Sequence, residues 1–246
     1  MSAEVCGLCG DRGIILQGEV AVPCSCLRKK AASRMFSNSG LPQKLRECTL
    51  EKFNYRYYAR DCLDLNKGVT YFELARLAHH AAKSFVTGFR DDPHLDGLMF
   101  TGHVGSGKTF LASGVANALL QQGKQVLFMV VPDLLDQIRA TYDSDRNSWD
   151  YTESDLMESA RQVPLLILDD LGANNYTEWS RNKIYSIINY RLNHQLPVII
   201  TTNTTPEDLE EYLGERTTSR LLEMCKPYRL LVDIDIRAIR RREKEQ

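Results

Sequence analysis

The run Gly102-His103-Val104-Gly105-Ser106-Gly107-Lys108-Thr109 constrains this chain more than any other feature. It fits the phosphate-binding pattern G-x-x-x-x-G-K-[ST] at every fixed position, and that pattern works only where a strand runs into a helix. Both neighbours fit. Leu98-Met99-Phe100-Thr101 reads as the end of a short buried strand, and Phe110 to Gln122 reads as a helix. In that setting the glycines let backbone N–H groups, Ser106 included, wrap around phosphates, and the helix N-terminus adds its positive end. Lys108 is expected at the β/γ-phosphates of a nucleotide and Thr109 on a Mg²⁺ ion.

A second run supports the first. Leu165-Leu166-Ile167-Leu168 is continuously apolar and ends in Asp169-Asp170. Such a run suits a strand buried on both faces of a parallel sheet. Ligands bind at the C-terminal ends of strands in open α/β sheets. Asp169 is therefore the expected Mg²⁺-holding acid, and Asp170 is placed to polarise an attacking water. Taken alone, an acidic pair after a core strand is an ordinary turn. A third strand, Val198 to Thr202, ends in Asn203. Asn203 is positioned to sense a γ-phosphate or orient the water; the other reading is a cap for the turn at Thr204-Thr205-Pro206.

Between these runs the α/β alternation is regular. A strand is expected over 125–131, helices over 132–142 and 152–161, a polar acidic loop over 143–155, and a helix over 180–193. Gly123 stands where a helix ends in the left-handed conformation. Repeating βα units predict a parallel sheet with helices on both faces.

Composition sets the limits. The chain has 246 residues, 43% of them hydrophobic, enough for an ordinary globular core. Its net charge of −1 gives no global electrostatic case for nucleic acid, so any DNA contact must come from a local patch. No run of about 18 apolar residues is present, which predicts no membrane span. The first residues lack the basic-then-apolar order of a signal peptide, so a cytoplasmic protein is expected.

Of the seven cysteines, Cys6, Cys9, Cys24 and Cys26 crowd the N-terminus as a C-x-x-C and a C-x-C pair. Between the pairs, Ile14-Ile15-Leu16 and Val20-Ala21-Val22 read as the strands of a hairpin, with turn signals at Gly13 and Gly18. Four thiolates make the closed tetrahedral set of a structural Zn²⁺ site. A unit this small draws its folding free energy from the metal. A redox dithiol at Cys6 and Cys9 is the competing reading, and it leaves Cys24 and Cys26 unexplained.

Residues 27–47 read as basic and helical, broken at Ser39-Gly40-Leu41-Pro42. Phe53, Tyr55, Tyr57 and Tyr58 follow, beside Arg56 and Arg60. Basic residues among aromatics can stack on nucleic-acid bases; they can equally pack their rings on the next domain, the reading we take. A mostly apolar helix is predicted over 70–90. Three regions result: 1–27, a zinc-binding module; 28–95, a helical linking region; and 96–246, a nucleotide-binding core.

Two arginines lie four residues apart in Leu213-Gly214-Glu215-Arg216-Thr217-Thr218-Ser219-Arg220-Leu221-Leu222, and on a helix they share a face. Alone, they describe a solvated basic face. The chain closes on Ile236-Arg237-Ala238-Ile239-Arg240-Arg241-Arg242, a basic helix end that suits the macrodipole.

Together these motifs resemble the AAA+ ATPases and, within them, the bacterial and phage DnaC/DnaI-type replicative helicase loaders. Gly102 to Thr109 is similar to their Walker A, LLILDDLG over 165–172 to their Walker B, Val198 to Asn203 to sensor I, and LGERTTSRLL over 213–222 to the arginine-finger segment. The resemblance implies Arg220 as a finger acting in a neighbouring subunit, with Arg216 beside it, and Arg237 as the sensor II arginine. Asp170 stands where many AAA+ proteins carry Glu, and its shorter reach implies slow hydrolysis. The resemblance further implies ATP, Mg²⁺ and a Zn²⁺ module, contact of the N-terminal regions with the replicative helicase, head-to-tail self-assembly, and contact with single-stranded DNA. The core is also similar to IstB-type transposition helpers, which typically lack the cysteine module. A third reading is a nucleotide-dependent interaction module with negligible turnover.

Overall fold

The computed structural model describes residue 9 and residues 14–17, 20–24, 39–65, 68–143, 152–173 and 176–245. At the N-terminus, β1 (Ile14–Gln17) and β2 (Val20–Pro23) pair antiparallel, with Ile14 opposite Pro23. Cys9 and Cys24 are both buried beside this hairpin and cluster with Ile15. Two of the four thiols expected on Zn²⁺ are thus brought together. Cys6 and Cys26 lie outside the described residues. Among the described residues no group of three or more His, Cys, Asp or Glu side chains is placed to hold a metal ion.

The stretch predicted as basic and helical differs from expectation over its described part. Over residues 39–47 the only wound segment is a short 3-10 turn, Gln43–Glu47, and two more such turns, Leu50–Lys52 and Tyr55–Tyr57, follow it. The reason is tertiary. Leu41, Leu50, Phe53 and Tyr58 all turn into the core. Asn117 donates its Nδ2 to the carbonyls of Leu45 and Cys48, at 2.9 and 2.6 Å. A side chain from the core thereby satisfies backbone that a helix would have satisfied itself. A small hairpin follows, β3 (Leu63–Asp64) and β4 (Val69–Thr70).

The helix predicted over 70–90 is α1 (Tyr71–Asp91). Thr70 and Glu73 close a capping box at its start. Leu74, Ala75, Ala78, Ala81, Ala82, Phe85 and Phe89 form its buried stripe, at helical spacing.

The remaining elements alternate: β5 (Gly97–Gly102), α2 (Lys108–Gln121), β6 (Val126–Val130), α3 (Val131–Asp143), α4 (Glu153–Gln162), β7 (Leu165–Asp169), α5 (Glu178–Asn193), β8 (Val198–Thr202), α6 (Leu209–Leu213), α7 (Glu215–Met224), β9 (Cys225–Leu230) and α8 (Ile236–Arg242). The five long strands make one parallel sheet in the order β6-β7-β8-β5-β9. Side chains alternate between two apolar cores, one on each face. Leu98, Phe100, Leu165, Ile167 and Ile199 meet α1 and α2. Met99, Leu166, Leu168, Val198 and Ile200 meet α3 to α7. The first cluster also takes in Leu41, Leu50, Phe53 and Tyr58, so packing is continuous across the boundary at 95 that the sequence suggests.

Strand β9 went unread in the sequence. Its run Cys-Lys-Pro-Tyr-Arg-Leu is polar and contains Pro227. It is an edge strand, the place where a sheet tolerates proline. Asp64 fastens the small hairpin to it: Arg229 Nη1 donates to both carboxylate oxygens of Asp64, at 2.9 and 2.7 Å. No helix among the described residues is long and apolar enough to cross a membrane.

Candidate functional site

The phosphate loop joins β5 to α2, as its motif requires. Gly102 and Gly107 have φ of 127° and 94°, in the region that favours glycine. A Cβ on Gly102 would meet the Leu230 carbonyl oxygen at 2.0 Å, so β9 presses directly on the loop. Ser106 Oγ is buried and has no hydrogen-bond partner. Lys108 curls back, donating Nζ to the carbonyls of Gly102 and His103 at 2.9 and 2.7 Å. Burial pushes its pKa down to about 8, and Arg237 adds to the depression; Asp170 and Asp169 oppose it. Those three charges therefore all act on the loop lysine.

At the end of β7, Thr109 Oγ1 donates to Asp169 Oδ1 at 2.9 Å. This brings together the two oxygens expected on Mg²⁺, and a hydroxyl beside a carboxylate is a fitting hard-donor pair for that ion. Burial raises the Asp169 pKa, and hydroxyl donation from Thr201 and Thr109 works against it. Asp170 takes the left-handed conformation, φ 57°, uncommon for a non-glycine residue. Strained backbone of this kind collects at functional sites.

Thr201 ties the two acids to the neighbouring strand. Its hydroxyl donates to Asp169 Oδ1 at 2.6 Å and accepts from the Asp170 N–H at 3.0 Å. Sequence reasoning missed this residue. The available signal was a hydroxyl at the end of an otherwise apolar strand, two residues before Asn203, which was singled out. Asn203 is exposed just past β8. The turn there closes on Thr202, whose Oγ1 accepts from the Thr204 N–H, so its cap comes from a threonine.

At the other side of the loop, the N–H of Ile236 donates to the Gly105 carbonyl at 3.1 Å. This seats the first turn of α8 on the loop and puts Arg237 next to it. Asp235 caps that helix by accepting from the Arg237 N–H at 2.7 Å. Arg220 lies elsewhere. It is held on α5, with Nε donating to Asn189 Oδ1 at 2.9 Å and its guanidinium 5.0 Å from the centre of the Tyr185 ring. Arg216, one turn earlier, is exposed. The structure thus gathers Gly102, Gly105, Ser106, Gly107, Lys108, Thr109, Asp169, Asp170 and Arg237, and leaves Arg220 on a separate helix surface.

The aromatic segment is packed, as read. Phe53 stacks on Tyr58 at 5.4 Å, Arg56 lies over Tyr57, and Arg60 lies over Phe72.

A parallel sheet in this order, with a phosphate loop after β5, a buried acid closing β7 and a polar residue just past the adjacent β8, defines a nucleotide-binding protein of the AAA+ type. The core's match to known proteins narrows the class. The chain belongs to the IstB-like ATP binding protein family, whose model matches residues 72–246. It is 28% identical over 194 residues to the replicative helicase loader DnaC of Escherichia coli (strain K12), covering 79% of this chain and 71% of that one. It is 26% identical over 159 residues to the replicative helicase loader DnaI of Bacillus subtilis (strain 168), covering 59% of this chain and 49% of that one. A crystal structure of the DnaC helicase loader superposes with a TM-score of 0.61 at 25% identity, covering 78% of this chain and all of that one.

Proposed function

We propose that this chain is an ATP-dependent loader that binds the replicative DNA helicase and helps place it on single-stranded DNA. The observation that carries the reading is the similarity to loaders across 79% of the chain. The site supports the reading through the phosphate loop between β5 and α2 and the Thr109–Asp169 hydrogen bond beside it.

In this reading the loop N–H groups and Lys108 hold the phosphates, and Arg237 faces them from α8. Thr109 and Asp169 hold Mg²⁺, which when bound neutralises charge on the phosphate oxygens. Asp170 takes the proton of the attacking water, and Asn203 orients that water. Asp170 is one methylene shorter than Glu, so turnover is slow. Arg220 serves the site of a neighbouring copy, and to reach it the side chain leaves its contacts with Asn189 and Tyr185 on α5. Residues 1–27 form a zinc module on Cys6, Cys9, Cys24 and Cys26. That module and the region to 95 contact the helicase, and 96–246 is the ATPase core. A cytoplasmic location accords with this role.

The test is capture of the source organism's replicative helicase by the purified full chain, with and without ATP, and by a variant lacking residues 1–38. That cut spares Leu41, Leu50, Phe53 and Tyr58, which the core needs. Capture by the full chain and its loss in the truncation is the expected result. Failure of the full chain to capture the helicase in any nucleotide state removes the loader reading. The family match leaves one other reading open, a transposition helper. In that case the chain would stimulate a transposase from the same source and ignore the helicase.

A further inference from the structure

Tyr58 belongs to the segment before the sheet, yet its hydroxyl donates to the Ser106 carbonyl at 2.7 Å, a buried hydrogen bond between groups 48 residues apart. The ring is only 3% exposed and stacks on Phe53. Its hydroxyl also sits 2.9 Å from where a Cβ on Gly107 would be, so it closes directly over the loop. Burial drives the phenol pKa upward, which keeps the group a donor across the working pH range.

The geometry of the peptide unit gives this bond its consequence. In a trans peptide the C=O of one residue and the N–H of the next point in opposite directions. A donor that draws the Ser106 carbonyl outward therefore aims the Gly107 N–H inward. The neighbouring unit follows the same rule. The Gly105 carbonyl is held from outside by the Ile236 N–H at 3.1 Å, and the Ser106 N–H turns back to the His103 carbonyl that also receives Lys108 Nζ. Two external donors thus set two successive loop N–H groups. One is backbone; the other is a single hydroxyl that can be removed.

We infer that Tyr58 is a positioning residue of the nucleotide site: by holding the Ser106 carbonyl it presets the Gly107 N–H toward the phosphates and ties the loop's shape to the segment leading in from the N-terminal region. The inference rests on the reading of this loop as a nucleotide site. A preset donor spares the reorganisation that a free loop undergoes on binding.

The experiment compares wild type, Tyr58→Phe and Tyr55→Phe in titrations with Mg·ATP and Mg·ADP. Phe at 58 keeps the buried ring and loses only the donor. Tyr55 supplies the control, since its hydroxyl bonds His79, at 2.5 Å, and not the loop. Tyr58→Phe is expected to bind both nucleotides about 3- to 10-fold more weakly, the effect of one neutral hydrogen bond. Tyr55→Phe is expected to bind as wild type does. The amide resonance of Gly107, followed in ¹⁵N-labelled protein, should shift less on adding Mg·ADP to Tyr58→Phe than to wild type. Equal affinity in Tyr58→Phe and wild type, equal weakening in both variants, or an unchanged Gly107 shift would each overturn the inference while leaving the nucleotide site standing. A wild-type protein that binds neither nucleotide would instead remove the nucleotide reading and this inference with it.

Discussion

Lys108 donates to two loop carbonyls in a buried setting, and its pKa falls to about 8. Triphosphate binding favours the ammonium form, so it raises that pKa and takes up a proton wherever the free lysine is neutral. The sign follows. Affinity for ATP is flat below pH 8 and falls as pH rises above it, by at most about tenfold per pH unit. Calorimetric titrations from pH 7 to 9.5 measure the slope. Lys108→Arg keeps its charge throughout that range, so its affinity, whatever its absolute value, should show no such fall. A fall of equal steepness in the arginine variant would assign the titration to another group.

Among the elements, α5 carries an unusual interior residue. Arg191 is fully buried and donates to five carbonyls, those of Ala160, Arg161, Val163, Pro164 and Pro197. Four of these acceptors are in the last turn of α4 or just past it, and Pro197 leads into β8. One guanidinium thus ties a helix end to the strand beside the acidic pair, and burial lowers its pKa to about 9. Arg191→Met fills similar volume but strands those carbonyls, and it should cost about 3 kcal/mol or more in urea unfolding. A loss under about 1 kcal/mol would mean that water replaces the arginine. The N-terminal hairpin makes a different kind of element, one that holds Cys9 and Cys24 buried together. Protein purified under reducing conditions should carry close to one zinc per chain by elemental analysis, and a Cys9→Ser, Cys24→Ser double variant should carry none. Metal-free wild-type protein would rule the zinc module out.

For the whole molecule, the location of Arg220 decides the assembly prediction. It is occupied by Asn189 and Tyr185 on its own chain, while Lys108 feels Asp169, Asp170 and Arg237. A finger on one face and a site on another requires head-to-tail contact, which gives a ring or an open filament. Arg220→Ala should therefore bind ATP normally and lose hydrolysis, an effect on the order of 10³-fold where a finger contributes fully. Mixing it with Asp170→Asn should restore part of the activity, because some interfaces then pair an intact Asp170 with an intact Arg220. No recovery at any mixing ratio would leave Arg220 as a surface residue bound to α5.

The strand–loop–helix around Lys108, the apolar run closing on Asp169 and the helix of residues 71–91 were legible because each is a local pattern. Periodicity and a motif's own chemistry act over a few residues, and the fold keeps them. Distant pairs were not legible. Whether Thr201 stands beside Asp169 depends on the register of two strands, and whether Tyr58 reaches Ser106 depends on a chain that crosses the core before the sheet begins. Strand β9 hides behind a proline and polar residues because an edge buries little, yet it presses on Gly102 and completes the sheet. The sequence by itself determined the class of fold and the chemistry of the loop. Only the tertiary structure decided which distant hydroxyls, carbonyls and guanidinium groups hold that loop in shape, since those bonds exist only once the core has brought their partners within reach.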